Sequence, residues 1–246
     1  MGGVREEERK LGENAKENQH TFCRDIRMIP ETAVICAAGR GTRLGFNMPK
    51  CLVEIAGRPI VDYQLVQLSD IPDVRMVVGF QAQRVVEHVK KIRPNVTFIH
   101  NKVFAKTTVL QSLYLGIQGV KNPFLTVHGD IIPERDSFAR FLKACAKGAP
   151  LGALCPAGTT DAIYANVEKD EKSDFIITSF QRKPVTPWEW PAICYILPEM
   201  IEDNPTLLCQ QIEKYLPMPA LPLMCWEIDT PEDLQRAMRE IQHVVA

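Results

Sequence analysis

Directly behind a short apolar run the chain reads Ala37-Ala38-Gly39-Arg40-Gly41-Thr42-Arg43-Leu44, and a short gap later Pro49-Lys50. Glycine lets backbone N–H groups approach an anion closely where a strand ends. Arg40, Arg43 and Lys50 put three cations into the same loop. That combination suits a polyphosphate. A P-loop would require G-x-x-x-x-G-K-[ST], and the segment has no such spacing. A dinucleotide fingerprint would require G-x-G-x-x-G. Here Leu44 stands where the third glycine belongs, and the following FNMPK does not open a helix. A plain turn accounts for the glycines but not for the cations.

With Pro49-Lys50 included, the segment resembles the signature of the nucleotidyltransferases (pyrophosphorylases): G-x-G-[ST]-R, a few residues, then P-K. Within that superfamily it resembles the branch of CTP:phosphocholine cytidylyltransferases and related small phosphonate cytidylyltransferases. The resemblance implies that Ala37, Ala38, Gly39, Gly41 and Thr42 cradle a nucleotide. Arg43 would clamp phosphate bidentately and Lys50 would bring a compact charge near the α-phosphate. Both cations act more strongly in a closed site than in water.

The same resemblance implies Mg2+, held by one aspartate at the end of a central strand and a second late in the chain. The matching residues are Asp130, after Phe124-Leu125-Thr126-Val127-His128-Gly129, and Asp229, in Trp226-Glu227-Ile228-Asp229-Thr230-Pro231. Two carboxylates with phosphates and waters suit this hard cation. Asp229 also reads as an ordinary N-cap for the helix that Pro231 opens.

Ser179-Phe180-Gln181-Arg182-Lys183-Pro184 resembles an F-x-E-K-P stretch whose lysine holds the acceptor's phosphate, which assigns Lys183 to the acceptor. Arg182 stands where that stretch is acidic, and this favours an acceptor that is small or carries another anion. A solvated basic turn is the alternative. Asn101 to Leu113 is similar to the loop that lies against the nucleobase in relatives, so Thr107 and Ser112 are expected at a pyrimidine edge. Thr108 departs from the asparagine usual there. Gln81 is a further base-side candidate or simply a helix-terminal residue. Trp188 and Trp190 with Glu189 form either a cation cage for a choline-like group or a hydrophobic lid. His128 reads as a packed histidine or a base. The reaction does not require a base, because a phosphate or phosphonate acceptor is already an anion.

The elements that must position these groups alternate. Strands are expected at Thr32–Ala37, Arg75–Val78, Val96–Ile99 and Pro123–Val127. Helices are expected at Pro59–Leu68, Gln83–Ile92, Val109–Val120 and Ser137–Lys147. This rhythm argues for βαβ units and a parallel sheet covered on both faces. After Pro150 it changes to short strands at Leu151–Cys155, Ile163–Glu168, Phe175–Phe180 and Ala192–Leu197. A helix over Ile201–Tyr215, broken at Pro205, a strand over Met224–Ile228 and a helix over Pro231–Val244 complete the chain. The fold expected is a Rossmann-like α/β/α sandwich with a mixed, mostly parallel sheet and a small antiparallel acceptor-binding extension.

The net charge of −1 excludes a basic nucleic-acid footprint. No apolar run approaches the length of a membrane span. Residues 1–27 are polar, lack an apolar signal core, and are expected to be a flexible tail ahead of a domain over 28–246. The eight cysteines include no C-x-x-C pair and read as buried thiols of a cytoplasmic protein. The expected activity is transfer of CMP from CTP to phosphocholine or to an aminoethyl- or carboxyl-bearing phosphonate, releasing pyrophosphate. The end of the chain soon after Asp229, without the extensions of bifunctional sugar enzymes, favours CTP. The alternatives are a sugar-1-phosphate nucleotidyltransferase, a GT-A-type glycosyltransferase and a non-catalytic nucleotide-binding regulator. A glycosyltransferase of that type needs an Asp-x-Asp motif, which His128-Gly129-Asp130 does not supply. A homodimer is the family's common state and is expected on that analogy.

Overall fold

The computed structural model describes residues 29–159, 161–172 and 174–241. The expected tail over 1–27 and the end of the last expected helix lie outside the described residues. In chain order the first half comprises β1 (Thr32–Ala37), β2 (Glu54–Ile55), β3 (Arg58–Pro59), α1 (Ile60–Gln67), β4 (Asp73–Val78), α2 (Ala82–Ile92), β5 (Thr97–His100), α3 (Val109–Gly116), β6 (Phe124–His128), β7 (Ile131–Pro133) and α4 (Arg135–Ala144). The second half comprises β8 (Leu151–Pro156), β9 (Tyr164–Lys169), β10 (Phe175–Gln181), β11 (Trp188–Glu189), β12 (Cys194–Ile196), α5 (Leu208–Glu213), β13 (Met218–Pro222), β14 (Cys225–Glu227) and α6 (Pro231–Ile241).

Ten strands form one mixed sheet in the order β11-β9-β10-β13-β8-β12-β6-β1-β4-β5. β6, β1, β4 and β5 run parallel. β12 enters antiparallel between β6 and β8 and begins the other half, where β9, β10 and β11 pair antiparallel. The parallel strands are continuous apolar runs because both of their faces are covered. Ala33 and Ile35 pack with Val61, Leu65, Val85, Val89, Phe138 and Phe141, from α1, α2 and α4. The intervening Val34 packs with Leu110, Leu113, Leu208 and Ile212, from α3 and α5. Alternate side chains of one strand thus feed two cores, which is the α/β/α sandwich expected.

Three differences from the expected elements stand out, and the first has an identifiable cause. The helix expected over Ile201–Tyr215 is a 3-10 turn at Pro198–Met200, irregular backbone, and then the short α5. Pro205 disfavours helix at Asn204 and removes a donor, and the Asn204 side chain accepts from the Thr206 N–H instead. The helix expected to reach Val120 stops at Gly116. β13 carries Pro219 and Pro222, residues that argue against an interior strand. It nevertheless lies between β10 and β8, with Pro219 opposite Ile176 and Pro222 opposite Leu154. No helix among the described residues is long and apolar enough to cross a membrane.

A second, two-stranded ladder matters most for the site. β14 pairs antiparallel with β7, matching Trp226 to Ile132 and Glu227 to Ile131, and the Ile228 N–H donates to the Asp130 carbonyl at 2.9 Å. The turn between β6 and β7 is held from behind by Gln64 of α1. Its Nε2 donates to the carbonyls of His128 (2.6 Å) and Ile131 (2.7 Å), one on each side of Gly129-Asp130. Gln64 is only 1% exposed. Gln64→Leu would leave two buried carbonyls without a donor. It is expected to lower the unfolding free energy by roughly 1–3 kcal/mol, measured by urea denaturation.

Candidate functional site

The glycine loop folds as a single 3-10 turn, Thr42–Leu44, bracketed by Gly41 (φ 62°) and Gly45 (φ 73°) in the left-handed region. A Cβ at Gly41 would also collide with the Lys50 stem, so the lysine crosses directly over this glycine. Leu44 is buried in a cluster with Ile60, Ile132, Trp226 and Ile228. That burial fixes the neighbouring Arg43 beside the strand end that leads to Asp229.

Lys50 then closes the arrangement. Its Nζ donates to Asp130 Oδ2 at 3.0 Å and to Asp229 Oδ1. Arg43 donates through NH2 to Asp229 Oδ2 at 2.6 Å. Burial works against the Lys50 ammonium, but Asp130 and Asp229 outweigh it and hold its pKa above the ordinary lysine value. Burial likewise opposes the Asp130 carboxylate, yet Lys50 and then His128 keep it below the usual carboxylate range. Asp229 does not serve as the helix cap. Thr230 and Asp233 do so reciprocally: Asp233 Oδ2 accepts from the Asp229 N–H, the Thr230 N–H and the Thr230 hydroxyl, and Thr230 Oγ1 accepts from the Asp233 N–H. The Asp229 side chain is thereby left for the two cations.

These groups line a cavity of about 440 Å3 at the carboxyl end of the parallel strands, the edge where open α/β sheets bind ligands. Ala37, Gly39, Gly41, Thr42, Arg43, Lys50, Asp130, Arg182 and Asp229 all border it, together with His128, Val109 and Cys36. Gly129 allows β6 and β1 to converge at its floor, since a Cβ there would lie 2.7 Å from the Ala37 Cβ. His128 is shifted towards the neutral form by burial, and its Nε2 has no partner among the described residues.

Other expected residues lie elsewhere or are already engaged. Ala38 is buried, and its carbonyl accepts from the Phe80 N–H. Gln81 bridges to the Asn47 carbonyl and accepts from Arg84. Asn101, 1% exposed, donates to both Thr107 Oγ1 and Ser112 Oγ and so knits that loop internally; Val109 is the part of it that borders the cavity. Lys183 is exposed on the rim of the antiparallel half, outside the cavity lining. Trp188 meets Phe175 edge-on at 5.3 Å and Trp190 lies against Phe180 at 4.6 Å, so both rings pack into the second core rather than forming an open cage. Glu189 is buried and accepts from Gly158 N, Thr159 N and Thr159 Oγ1. It anchors a loop instead of facing a ligand. Arg40, the third cation of the glycine loop, is exposed and sits 5.7 Å over the Phe104 ring.

Two acidic lining residues had no assigned role in the sequence. Glu227, inside the closing segment, has its pKa pushed up to about 8 by burial and then by Asp130 and Asp229. Asp161, in a stretch without motif, pairs with Arg43 at 3.1 Å and with Arg182 at 2.7 Å.

Asp130 and Asp229 fit a hard divalent cation. They share one cationic partner, and the Asp130 Oδ1 is buried with no hydrogen-bond partner among the described residues. One or two carboxylates completed by phosphates and water is the usual arrangement for Mg2+. No cluster of three or more potential protein ligands occurs among the described residues.

Comparison with known proteins shows the family and the fold. Residues 33–215 match the family model described as MobA-like NTP transferase domain. The bifunctional protein GlmU of Aquifex aeolicus is 29% identical over 175 residues, which span 64% of this chain and 36% of that protein. This chain covers between 14% and 44% of the length of the curated relatives that it matches. CTP:phosphocholine cytidylyltransferase (LicC) of Streptococcus pneumoniae superposes with a TM-score of 0.70 at 19% identity, covering 87% of this chain and 100% of that one. The inositol-1-phosphate CTP transferase of T. maritima does so with a TM-score of 0.70 at 15% identity, covering 90% and 100%. At these identities the structural likeness establishes the fold.

The electrostatic core can be tested without substrate. Lys50→Met would leave Asp130 and Asp229 facing each other. It is expected to cost roughly 3 kcal/mol of stability, with Asp130→Asn on the same background restoring part of the loss in a denaturant series.

Proposed function

This chain belongs to the MobA-like NTP transferase family, and on that premise we propose that it transfers CMP from CTP to a small phosphate- or phosphonate-bearing acceptor with release of pyrophosphate. The observation that carries this reading is the meeting of Lys50 and Arg43 with Asp130 and Asp229 in one cavity. Groups far apart in the chain converge there with the charges that a chelated triphosphate needs.

The acceptor's oxyanion attacks the α-phosphorus as pyrophosphate leaves. Two anions must approach each other, so charge neutralisation and positioning carry most of the rate. Gly39, Gly41 and Thr42 bring backbone close to the phosphates. Arg43 and Lys50 neutralise them. Arg182 and the exposed Lys183 supply positive charge on the acceptor side. Asp130 and Asp229 would hold Mg2+, which when bound supplies further neutralisation of the triphosphate. Lys50 would then exchange its carboxylate partners for phosphate oxygens. His128, disfavoured as a cation by burial, is not needed to remove a proton from an acceptor that is already ionised. The choice of CTP rests on the partial similarity of the loop from Asn101 to Leu113 to that of phosphocholine enzymes, from which Thr108 departs.

A pyrophosphate-release assay with each NTP against phosphocholine, aminoethylphosphonate, a carboxyl-bearing phosphonate and a sugar 1-phosphate tests the reading. Release with CTP and a small acceptor is expected. Release only with a sugar 1-phosphate would move the assignment to the sugar enzymes. Turnover of a nucleotide sugar without pyrophosphate would support glycosyl transfer, and tight NTP binding without turnover a regulator. Arg43→Gln is expected to lower kcat/KM by about 10²–10³-fold. Chelation is expected to abolish turnover, with Mg2+ restoring it.

A further inference from the structure

Arg43 and Arg182 come from opposite halves of the fold, yet one carboxylate joins them. Asp161 accepts from Arg43 NH1 through Oδ2 and from Arg182 NH1 through Oδ1. Each oxygen serves one guanidinium, as two oxygens of a bound phosphoryl group would. All three side chains are more than half exposed, at 52%, 54% and 60% for Arg43, Arg182 and Asp161. Exposed pairs of this kind contribute little to stability, so the carboxylate can leave at small cost. A phosphoryl dianion offers more oxygens and more charge to the same two forks.

The surrounding loop permits that exchange without unfolding. Its base is fixed by the buried Glu189, which accepts from Gly158 and Thr159. Arg236 donates to the Gly158 carbonyl and pairs with Asp233 at 3.8 Å. Thr159 and Ala162 are both buried, and Asp161 between them is exposed. Its exposed carboxylate can swing on its own side-chain torsions. Arg43 has two working edges: NH2 faces Asp229, and NH1 faces Asp161.

We propose that Asp161 is a displaceable stand-in for the acceptor's anionic group, and that the Arg43 NH1 edge and Arg182 together form the site for that tetrahedral oxyanion. This deepens the reading under Proposed function and rests on it for the word acceptor. In that reading, Arg43 spans the seam between nucleotide and acceptor, and Asp161 makes the site selective. An incoming group must outbid a carboxylate already in place, which favours phosphoryl and phosphonyl dianions over monoanions.

Calorimetric titration of the full chain with inorganic phosphate and with methylphosphonate tests this without requiring turnover. Asp161→Asn and Asp161→Ser are both expected to tighten binding about three- to tenfold, since a like charge beside the anion is removed. In an Arg182→Gln background the gain is expected to vanish. In turnover, the acceptor KM is expected to fall while the KM for the nucleotide stays unchanged. Unchanged or weaker anion binding in both Asp161 variants would overturn the proposal, as would a gain that survives the loss of Arg182. If no NTP and acceptor pair yields pyrophosphate, the assigned reaction fails, and the anion titration still decides the role of Asp161.

Discussion

One ammonium group shared by two carboxylates governs this molecule's architecture. Lys50 reaches Asp130, 80 residues away, and Asp229, 179 residues away. Two carboxylates brought together after β6 and β14, with one oxygen buried and unpartnered among the described residues, could not be held together without a cation between them. The glycine loop, the turn after β6 and the segment after β14 must therefore arrive at a single point. Much of the surrounding structure exists to satisfy that requirement.

It does so through rigid pieces with little sequence signal of their own. The β7–β14 ladder carries Asp130 and Asp229 to the same level. Leu44 and Ile228 lie in one small core that sets the glycine loop against the end of β14. Gln64 clamps the β6–β7 turn from the helix layer. Thr230 and Asp233 take over capping of α6, which spares Asp229. A site assembled in this way is held by the protein's own contacts, and in the proposed reaction charge stabilisation at a developing pyrophosphate would draw on such preorganisation.

The parallel half was legible in the sequence because its signals are local. Continuous apolar strands, amphipathic helices and a glycine loop with fixed cation spacing each reside in a dozen residues, and β1, β4 and β6 fall where the pattern puts them. The convergence of Arg43, Lys50, Asp130 and Asp229 followed from motif order. What the sequence concealed was long-range or ambiguous by chemistry. β13 is masked by its prolines. Gln64 reads as one more position on a core-facing helix. Trp188, Glu189 and Trp190 form a plausible cage by type, and only packing reveals that the rings are core and the carboxylate is a loop anchor. Asp161 lies in no motif at all, because its partners come from residues 118 and 21 positions away.

That contrast between the two halves has a physical basis. In the proposed reaction a triphosphate presents the same charges to every enzyme of this type, so a loop that receives it would be constrained and recognisable. The proposed acceptor side would have only to match one small molecule, and its groups are set on short antiparallel strands and the loops between them, where one residue can change without disturbing the sheet. Arg182, standing where the resembling stretch is acidic, is such a change, and its partner Asp161 balances it. Arg43 joins the two sides through opposite edges of one planar group. Its rigid fork fixes the relation between the site's carboxylates and the acceptor-side charges, a task that the flexible point charge of a lysine could not perform. In the proposed reaction the geometry would therefore depend on the fold bringing a single guanidinium to the seam, while the identity of the acceptor would depend on the few exposed charges beyond it.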